Sequence, residues 1–161
     1  MKTFLTGRPG IGKTTVCLKA IELLCQRGVR CGGVVSREVR EGGARTGFEF
    51  VDVETKQAFP LASNSGAGPR VGKYRVDLAG IARAVAILRG TKADVVFVDE
   101  IGPMELKSRD FKYTADELVR IDKHLVAVVH NRLAASFNCI EITAANRDTI
   151  PGEIASRYRA P

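Results

Sequence analysis

Short apolar segments and amphipathic segments alternate along this chain, in the order expected of strands followed by helices. Residues 2–6 form the first strand candidate, and the stretch from Lys13 to Arg27 places Val16, Ala20 and Leu24 on one helical face. The same pattern predicts later elements at 77–88 (helix), 95–98 (strand), 110–121 (helix), 125–129 (strand), 138–142 (strand) and 146–158 (helix). Strands that alternate with helices indicate an α/β protein with a mostly parallel sheet and helices on both of its faces.

One segment departs from this alternation. Residues 31–39 and 45–53 both have the pattern of extended strands, and the turn residues 41–43 lie between them, so a small antiparallel hairpin is predicted. Residues 63–73 are rich in glycine and serine and are predicted to form the one long loop of the chain. Loops of this length in a compact domain are usually functional or mobile.

The length and composition are those of a single globular domain over residues 1–161, with 45% hydrophobic and 27% charged residues. No uninterrupted apolar run, Leu125 to Val129 included, is longer than five residues, whereas a membrane-spanning helix needs about 20. Gly7 and Gly10 come too early for an N-terminal apolar signal segment. We therefore expect a cytoplasmic protein that does not enter a membrane.

The charge balance favours a polyanionic ligand, since 25 Lys and Arg residues outnumber 18 Asp and Glu residues and give a net charge of +7. A nucleoside triphosphate and a nucleic acid both meet this description. The basic residues are scattered and aromatic residues make up only 6% of the chain, so a base-stacking platform for single strands has little support. The cysteines lack a C-x-x-C pair and metal-ligand spacing, and we expect reduced thiols rather than a zinc site.

The strongest motif directly follows the first strand candidate. It is a full match to the phosphate-binding pattern G-x-x-x-x-G-K-[ST] and consists of Gly7, Arg8, Pro9, Gly10, Ile11, Gly12, Lys13 and Thr14. Glycines allow the backbone N–H groups of such a loop to face a triphosphate, and the following helix adds the partial positive charge of its N-terminus. Lys13 would act as a catalytic charge on the β- and γ-phosphates, and the Thr14 hydroxyl would bind Mg²⁺.

A second, acidic element ends the strand candidate at 95–98. Asp99 and Glu100 follow four consecutive apolar residues, which is the pattern of a Walker B segment. Asp99 is predicted to hold Mg²⁺ together with Thr14. Glu100 is the candidate catalytic base, because a carboxylate next to the metal-binding Asp can orient or deprotonate a water molecule for attack on the γ-phosphate.

Two further matches are typical of GTPases. Residues 99–102 fit D-x-x-G, and residues 91–94 resemble the guanine-reading pattern N/T-K-x-D. In a GTPase the guanine-reading motif comes after D-x-x-G, at the end of a later strand, whereas here it comes before it. The chain is therefore not predicted to be specific for guanine, and Asp94 is interpreted as a residue at the entry of a strand.

Several segments together carry a resemblance to a known family: residues 6–15, 45–48, 71–74, 76–77, 98–106 and 146–148. The run Asp99 to Leu106 is the most specific of them. They resemble the small nucleoside-triphosphatase family of thermophilic archaea and bacteria, whose animal members are called cancer-related nucleoside triphosphatases. The resemblance covers most of the chain. It implies a compact RecA-like P-loop NTPase fold and Mg²⁺-dependent hydrolysis of ATP, GTP and other nucleoside triphosphates to diphosphate and phosphate, with little selectivity for the base.

The resemblance also implies which residues contact the nucleotide. They come from the glycine-rich loop and the start of its helix (Gly7, Arg8, Pro9, Gly10, Ile11, Gly12, Lys13, Thr14 and Thr15) and from the end of the acidic strand (Asp99, Glu100, Ile101, Gly102, Pro103 and Met104). Charge that develops on the γ-phosphate would need a further cation, and Arg8, Arg45, Lys73 and Arg132 are the candidates. His130, at the end of a strand candidate, is a candidate for contact with the γ-phosphate.

Two other functions remain open on the residues alone. The chain could be a nucleotide or small-metabolite kinase whose 63–73 loop closes over an acceptor, or a nucleic-acid-associated NTPase that uses its positive charge. A phosphate-binding loop by itself does not decide among these. We expect a monomer whose partners are nucleoside triphosphates, and a nucleic-acid partner is an alternative without direct support.

Overall fold

The computed structural model describes residues 1–158, which form a sheet of nine strands with helices packed on it. The strands are β1 (Lys2–Thr6), β2 (Cys31–Glu41), β3 (Ala44–Asp52), β4 (Ala58–Ser63), β5 (Arg70–Val71), β6 (Tyr74–Val76), β7 (Val95–Ile101), β8 (His124–Val129) and β9 (Cys139–Glu141). The α-helices are α1 (Lys13–Cys25), α2 (Leu78–Gly90), α3 (Arg109–Arg120) and α4 (Ile150–Arg157), and short 3₁₀ turns cover Glu105–Lys107 and Asn131–Ser136. No helix within these 158 residues is long and apolar enough to span a bilayer.

The sheet is mixed, with the strand order β5-β6-β4-β3-β2-β7-β8-β1-β9. Five neighbouring strands pair in parallel: β2, β7, β8, β1 and β9. The other four strands, β3, β4, β6 and β5, extend the sheet beyond β2 by antiparallel pairs. One strand, β8, lies between β1 and β7. Because the carboxyl ends of parallel strands meet at one edge of a sheet, the glycine-rich loop after β1 and the acids at the end of β7 lie at the same edge.

Both faces of the central parallel strands β7 and β8 are buried, which explains their continuous apolar runs. Along β7, Val95 and Phe97 pack into the cluster under α1 and α4, while Val96 and Val98 pack into the cluster under α2 and α3. Helices on both sides thus hold β7 in place. The strand end that carries Asp99 therefore projects from a two-sided core.

Most of the predicted elements are confirmed within a few residues, and so is the α/β fold class with helices on both faces of the sheet. The helix predicted after Asp77 is capped as expected, because Asp77 Oδ1 accepts a hydrogen bond of 2.8 Å from the Gly80 N–H. The antiparallel part is larger than the predicted hairpin, since β4, β6 and β5 continue it beyond β3. These strands form because they pair with segments that are distant in the sequence, and the local alternation of apolar and polar residues does not reveal such pairing.

Two predicted segments differ from the structure. The stretch 63–73 is not one continuous loop, because β5 lies inside it and pairs with β6. The last helix begins at Ile150 rather than at Asn146. Asn146 instead holds a turn, in which its Oδ1 accepts a hydrogen bond of 2.8 Å from the Thr143 N–H. Asn side chains commonly compete with the backbone in this way, which delays the start of a helix.

Candidate functional site

The loop between β1 and α1 has a backbone that only glycines adopt easily. Gly7, Gly10 and Gly12 have φ angles of 155°, 76° and 107°, a region that residues with a Cβ rarely occupy. Gly12 directly precedes α1 and has no side chain with which to cap it. The first N–H groups of α1 are therefore available to a ligand, as a phosphate-binding loop requires.

The Lys13 side chain folds back onto this loop. Its Nζ donates hydrogen bonds to the carbonyl oxygens of Gly7 at 2.8 Å and of Arg8 at 3.1 Å. Gly7 and Lys13 both line the cleft at this edge of the sheet. The ammonium is thus already held at the cleft, where the oxygens of a phosphate would be stronger acceptors than neutral carbonyls.

Thr14 and Asp99 meet across the edge of the sheet. The Thr14 hydroxyl donates a hydrogen bond of 2.5 Å to Asp99 Oδ2. Asp99 is only 3% exposed, and this burial raises the pKa of its carboxyl to about 7, although the Thr14 hydrogen bond and the Lys13 charge act in the opposite direction. A buried carboxylate beside a hydroxyl is a pair of hard oxygen donors, which fits the predicted Mg²⁺ site.

Glu100 is adjacent to this pair and lines the same cleft. The peptide bond that joins Asp99 to Glu100 is cis. Burial raises the pKa of the Glu100 carboxyl, and the charge of Lys13 partly offsets this effect. A carboxylate with a raised pKa accepts a proton more readily than a solvated one, as the predicted role of general base requires.

One open cleft of about 500 Å³ brings the predicted chemistry together. It contains the glycine-rich loop, the acids at the end of β7, and a wall formed by the ends of β2 and β3 and the segment after β8. The lining residues are Gly7, Pro9, Gly10, Lys13, Thr14, Ser36, Arg37, Glu38, Arg45, Phe48, Asp99, Glu100, His130 and Asn131. The structure therefore places the two motifs next to each other, as the sequence predicts.

The predicted cations are not equally placed. Arg45 lines the cleft, and its guanidinium donates hydrogen bonds to Glu38 Oε1 at 3.0 Å and to the Tyr74 hydroxyl at 2.8 Å. It is therefore held in one orientation at the cleft wall. The other three candidates do not line this cleft in the part of the chain that the structure describes: Arg8, Lys73 and Arg132.

His130 lines the cleft as well. Its Nδ1 accepts a hydrogen bond of 3.3 Å from the backbone N–H of Arg132. Burial lowers the pKa of the imidazole, and the charges of Arg132 and Lys13 lower it further. A neutral ring that accepts at Nδ1 carries its proton on Nε2, so His130 has one donor to offer to a phosphate oxygen.

Part of the predicted contact set lies on the opposite side of the loop. Ile11, Gly12 and Thr15 line a second cleft of about 360 Å³, which also has walls from α1 and from the turn before α4. The residues that complete it are Gly10, Val16, Lys19, Arg147 and Asp148. Gly10 borders both clefts, so a ligand that wraps around the loop would reach both of them.

The predicted contact between residues 101–104 and the nucleotide stays a prediction. Within the described chain, residues 101–104 do not line the main cleft, whereas Asp99 and Glu100 do. Ile101 and Met104 pack into the hydrophobic cluster under α2 and α3 instead. Pro103 and Met104 also line a smaller cavity of about 170 Å³, which shares Glu100 and His130 with the main cleft.

Apart from Arg45, the contribution of β2 and β3 to the cleft was not predicted from the sequence. Ser36, Arg37, Glu38 and Phe48 all line it, although the pattern of these segments predicted only extended strands. Arg45 and Phe48 were part of the family resemblance, which was the signal available for this wall. Which strands lie beside β7 depends on sheet order, and a local pattern does not specify that order.

A buried acid lies behind Glu100. Glu105 is 2% exposed and lines a cavity of about 170 Å³ together with Glu100 and His130. Burial raises the pKa of the Glu105 carboxyl well above its usual value, and the negative charges of Glu100 and Asp99 raise it further. The folded chain therefore keeps this proton to a higher pH than the unfolded chain does.

This difference predicts a pH-dependent gain in stability when Glu105 is replaced by glutamine. The unfolded chain releases the Glu105 proton as the pH passes 4.5, so the contribution of this residue to folding stability falls from there until the pH passes its folded pKa. Glu105→Gln removes the titration at nearly constant volume. We expect its melting temperature, relative to the unaltered protein, to increase as the pH is raised from about 4 to about 8.

Thermal melts without nucleotide at several pH values measure this difference. The matched control is Glu153→Gln, since Glu153 is exposed in the first turn of α4. If the difference in melting temperature between Glu105→Gln and the unaltered protein stays constant across the pH range, the prediction is contradicted.

A strand that leads into a glycine-rich loop and a helix, with an acidic pair at the end of a strand two places away in a parallel sheet, is the arrangement found in P-loop NTPases. The comparison with family models agrees with it. The chain belongs to the NTPase family, whose model matches residues 2–155. Family membership confirms the predicted family and the enzyme class, a nucleoside-triphosphatase.

Individual relatives are similar over nearly the whole chain. Nucleoside-triphosphatase THEP1 of Thermofilum pendens is 44% identical over 167 aligned positions, which cover 94% of this chain and 91% of that protein. The crystal structure of THEP1 from the hyperthermophile Aquifex aeolicus superposes with a TM-score of 0.84 at 29% identity and covers 99% of this chain and 100% of that one. The solution structure of a human cancer-related nucleoside triphosphatase gives a TM-score of 0.79 at 29% identity, with 97% and 96% covered.

Proposed function

We propose that this protein hydrolyses nucleoside triphosphates to diphosphate and phosphate with the help of Mg²⁺ and with little selectivity for the base. The observation that carries the proposal is the contact between Thr14 and Asp99, with Glu100 and Lys13 in the same cleft. This contact joins the phosphate-binding loop to the acidic strand end. Nucleotide, metal and attacking water would therefore meet at one place.

The loop and the start of α1 would bind the phosphates. Backbone N–H groups at the beginning of α1 are oriented toward a ligand, and Lys13 exchanges its carbonyl partners for oxygens of the β- and γ-phosphates. His130 would add a neutral donor from Nε2. These groups recognise a triphosphate tail without reading the base.

Thr14 and Asp99 would hold the metal. Mg²⁺ binds through few protein ligands and takes phosphate oxygens and water for the rest, so one hydroxyl and one buried carboxylate suffice on the protein side. When bound, the ion would offset the charge on the β- and γ-phosphate oxygens. The raised pKa of Asp99 describes the carboxyl without a cation, and a cation nearby favours its ionised form.

Glu100 would prepare the water. As the water oxygen forms its bond to the γ-phosphorus and the bond to the bridging oxygen breaks, the Glu100 carboxylate accepts the proton of the water. The diphosphate leaves with the electron pair of the broken bond. Partial burial of Glu100 supports this role, because a solvated carboxylate would be a weaker base.

The second cleft supports the proposed lack of base selectivity. It lies where the nucleoside end of a ligand that wraps the loop would emerge, and an exposed ion pair of 3.4 Å between Lys19 and Asp148 forms part of it. Solvent-exposed side chains discriminate poorly between bases, because a hydrogen bond that is lost with one base is replaced by a hydrogen bond to water.

A panel of phosphate-release assays tests the proposal. We expect release from ATP, GTP, CTP and UTP with kcat/KM values within about tenfold of one another, since contacts to the phosphates supply most of the binding. Removal of Mg²⁺ by a chelator is expected to abolish release, and added Mg²⁺ to restore it. Release that persists in the chelator, or that is confined to one nucleotide, would contradict the corresponding part of the proposal.

One observation favours a second candidate function, phosphate transfer to a small metabolite. The cleft extends from Glu100 to the β2–β3 wall, where Arg45 is fixed by Glu38 and Tyr74. An acceptor could occupy this extension. The predicted closure by residues 63–73 has no support, because none of the described residues that line the cleft comes from that stretch. Candidate acceptors added to the same assay distinguish transfer from hydrolysis, since transfer consumes ATP without releasing phosphate.

A nucleic-acid partner gains no support from the described surface of β2 and β3. Arginines there form exposed ion pairs, Arg37 with Glu49 at 2.5 Å and Arg40 with Glu38 at 2.8 Å. Arg45 shares Glu38 with Arg40. Paired arginines release fewer counterions from a polyanion than free arginines do, which weakens the electrostatic argument for nucleic-acid binding.

A further inference from the structure

The side chain of Glu100 lies directly over the backbone of Gly102. A Cβ built on Gly102 would be 2.8 Å from Glu100 Oε1 and 3.2 Å from both Cδ and Cγ of the same side chain. Non-bonded atoms in proteins pack best at about 3.5 to 4.0 Å. The outer half of the Glu100 side chain therefore occupies the space that any other residue at position 102 would need.

Space, and not backbone conformation, requires glycine at this position. Gly102 is not among the described glycines with a positive φ, so another L-residue could adopt its backbone. Gly33 shows the contrasting case, since a Cβ there would meet the carbonyl oxygen of Phe97 at 2.1 Å. At Gly102 the three nearest atoms all belong to one flexible side chain. A Cβ at this position would therefore displace Glu100 and leave the strand in place.

A displacement of this kind would affect chemistry more than folding. To relieve a contact of 2.8 Å, the Glu100 carboxylate must move by about 0.6 Å or more. Misplacement of a reacting group by about 1 Å can lower a rate about a hundredfold. The three atoms nearest to the added Cβ belong to Glu100 and none belongs to Lys13 or Thr14, so phosphate and metal binding should survive.

We propose that Gly102 is a positioning residue for Glu100: because it lacks a Cβ, it leaves the carboxylate the place from which it prepares the attacking water. The inference rests on the proposed function, in which Glu100 is the general base. It also supplies a physical reason for the glycine that makes residues 99–102 resemble a D-x-x-G motif without guanine specificity.

The test is Gly102→Ala. We expect kcat for ATP hydrolysis to fall by about ten- to a hundredfold, while affinity for a non-hydrolysable ATP analogue with Mg²⁺ stays within about twofold and the melting temperature changes by no more than a few degrees. The matched control is Gly152→Ala on α4, where an added Cβ meets no atom within 4 Å. The control should keep its full kcat.

A double-mutant cycle separates this inference from the proposed function. If Gly102 acts through Glu100, Gly102→Ala lowers kcat in the unaltered protein but adds no further loss in a Glu100→Gln background. An equal loss in both backgrounds, weak binding of the analogue or a melted variant would overturn the positioning role. Normal kcat in Gly102→Ala beside an inactive Glu100→Gln would overturn it too, and the proposed function would stand. Near-normal hydrolysis by Glu100→Gln would instead overturn the proposed function.

Discussion

Replacement of Glu100 by glutamine is expected to lower kcat for nucleoside-triphosphate hydrolysis by about a thousandfold and to leave nucleotide affinity nearly unchanged. The amide has the size of the carboxylate and fills the same space over Gly102, but it cannot accept a proton from the attacking water. Binding depends on the loop and on the metal-binding pair, and the substitution alters neither of them.

Phosphate release and titration with a fluorescent nucleotide measure the two effects separately. Glu153→Gln provides the matched control, because it makes the same chemical change at an exposed position on α4. A Glu100→Gln variant that releases phosphate at a near-normal rate would show that another group handles the proton. A variant that loses nucleotide binding as well would show that Glu100 belongs to the binding site.

Replacement of Lys13 by alanine is expected to weaken nucleotide binding and to reduce kcat/KM by at least about a hundredfold. Lys13 supplies a charge at the loop, where its Nζ is held by the carbonyls of Gly7 and Arg8. Its removal leaves the backbone N–H groups as the main donors that the loop offers to the phosphates. The two carbonyls remain within reach of water, so the melting temperature of the nucleotide-free protein should change little.

The control for this prediction is Lys19→Ala, which removes an ammonium from the same helix. Lys19 forms a solvent-exposed ion pair of 3.4 Å with Asp148, and such pairs contribute little to stability. We expect an effect of less than about tenfold on kcat/KM, since Lys19 lines the second cleft and not the one that contains Lys13. Comparable losses from both substitutions would indicate that the total charge of the region matters rather than the position of Lys13.

Much of the fold could be predicted because it depends on local rules. The apolar run of β7 predicted a strand buried on both faces, and Val95 and Val96 indeed pack into opposite clusters. Asp77 marked the start of α2 by its capping side chain. The helix predicted at residues 146–148 is absent, because Asn146 forms a turn with Thr143 that hydrophobic periodicity does not detect.

Some residues of the candidate site could likewise be predicted from local sequence, and others could not. Gly7, Gly10 and Gly12 could be recognised from their spacing, since their positive φ angles are a property of the loop itself. The role of Gly102 could not be predicted, because its requirement for glycine arises from the side chain of Glu100 and not from its own backbone. Arg45 was one of four candidate cations, and the structure places Arg45, but not Arg8, Lys73 or Arg132, among the described residues that line the cleft.

The sequence by itself determined the chemistry of the separate parts: a loop shaped to bind phosphates, a lysine and a threonine at the start of a helix, and two acids at the end of a buried strand. These properties follow from neighbouring residues, which is why a pattern of a few positions specifies them. Only the tertiary structure decided that Thr14 contacts Asp99, that Gly102 makes room for Glu100, and that β2 and β3 form a wall of the cleft. The physical reason is that strand order and side-chain packing join residues far apart in the chain, and no local pattern contains those contacts.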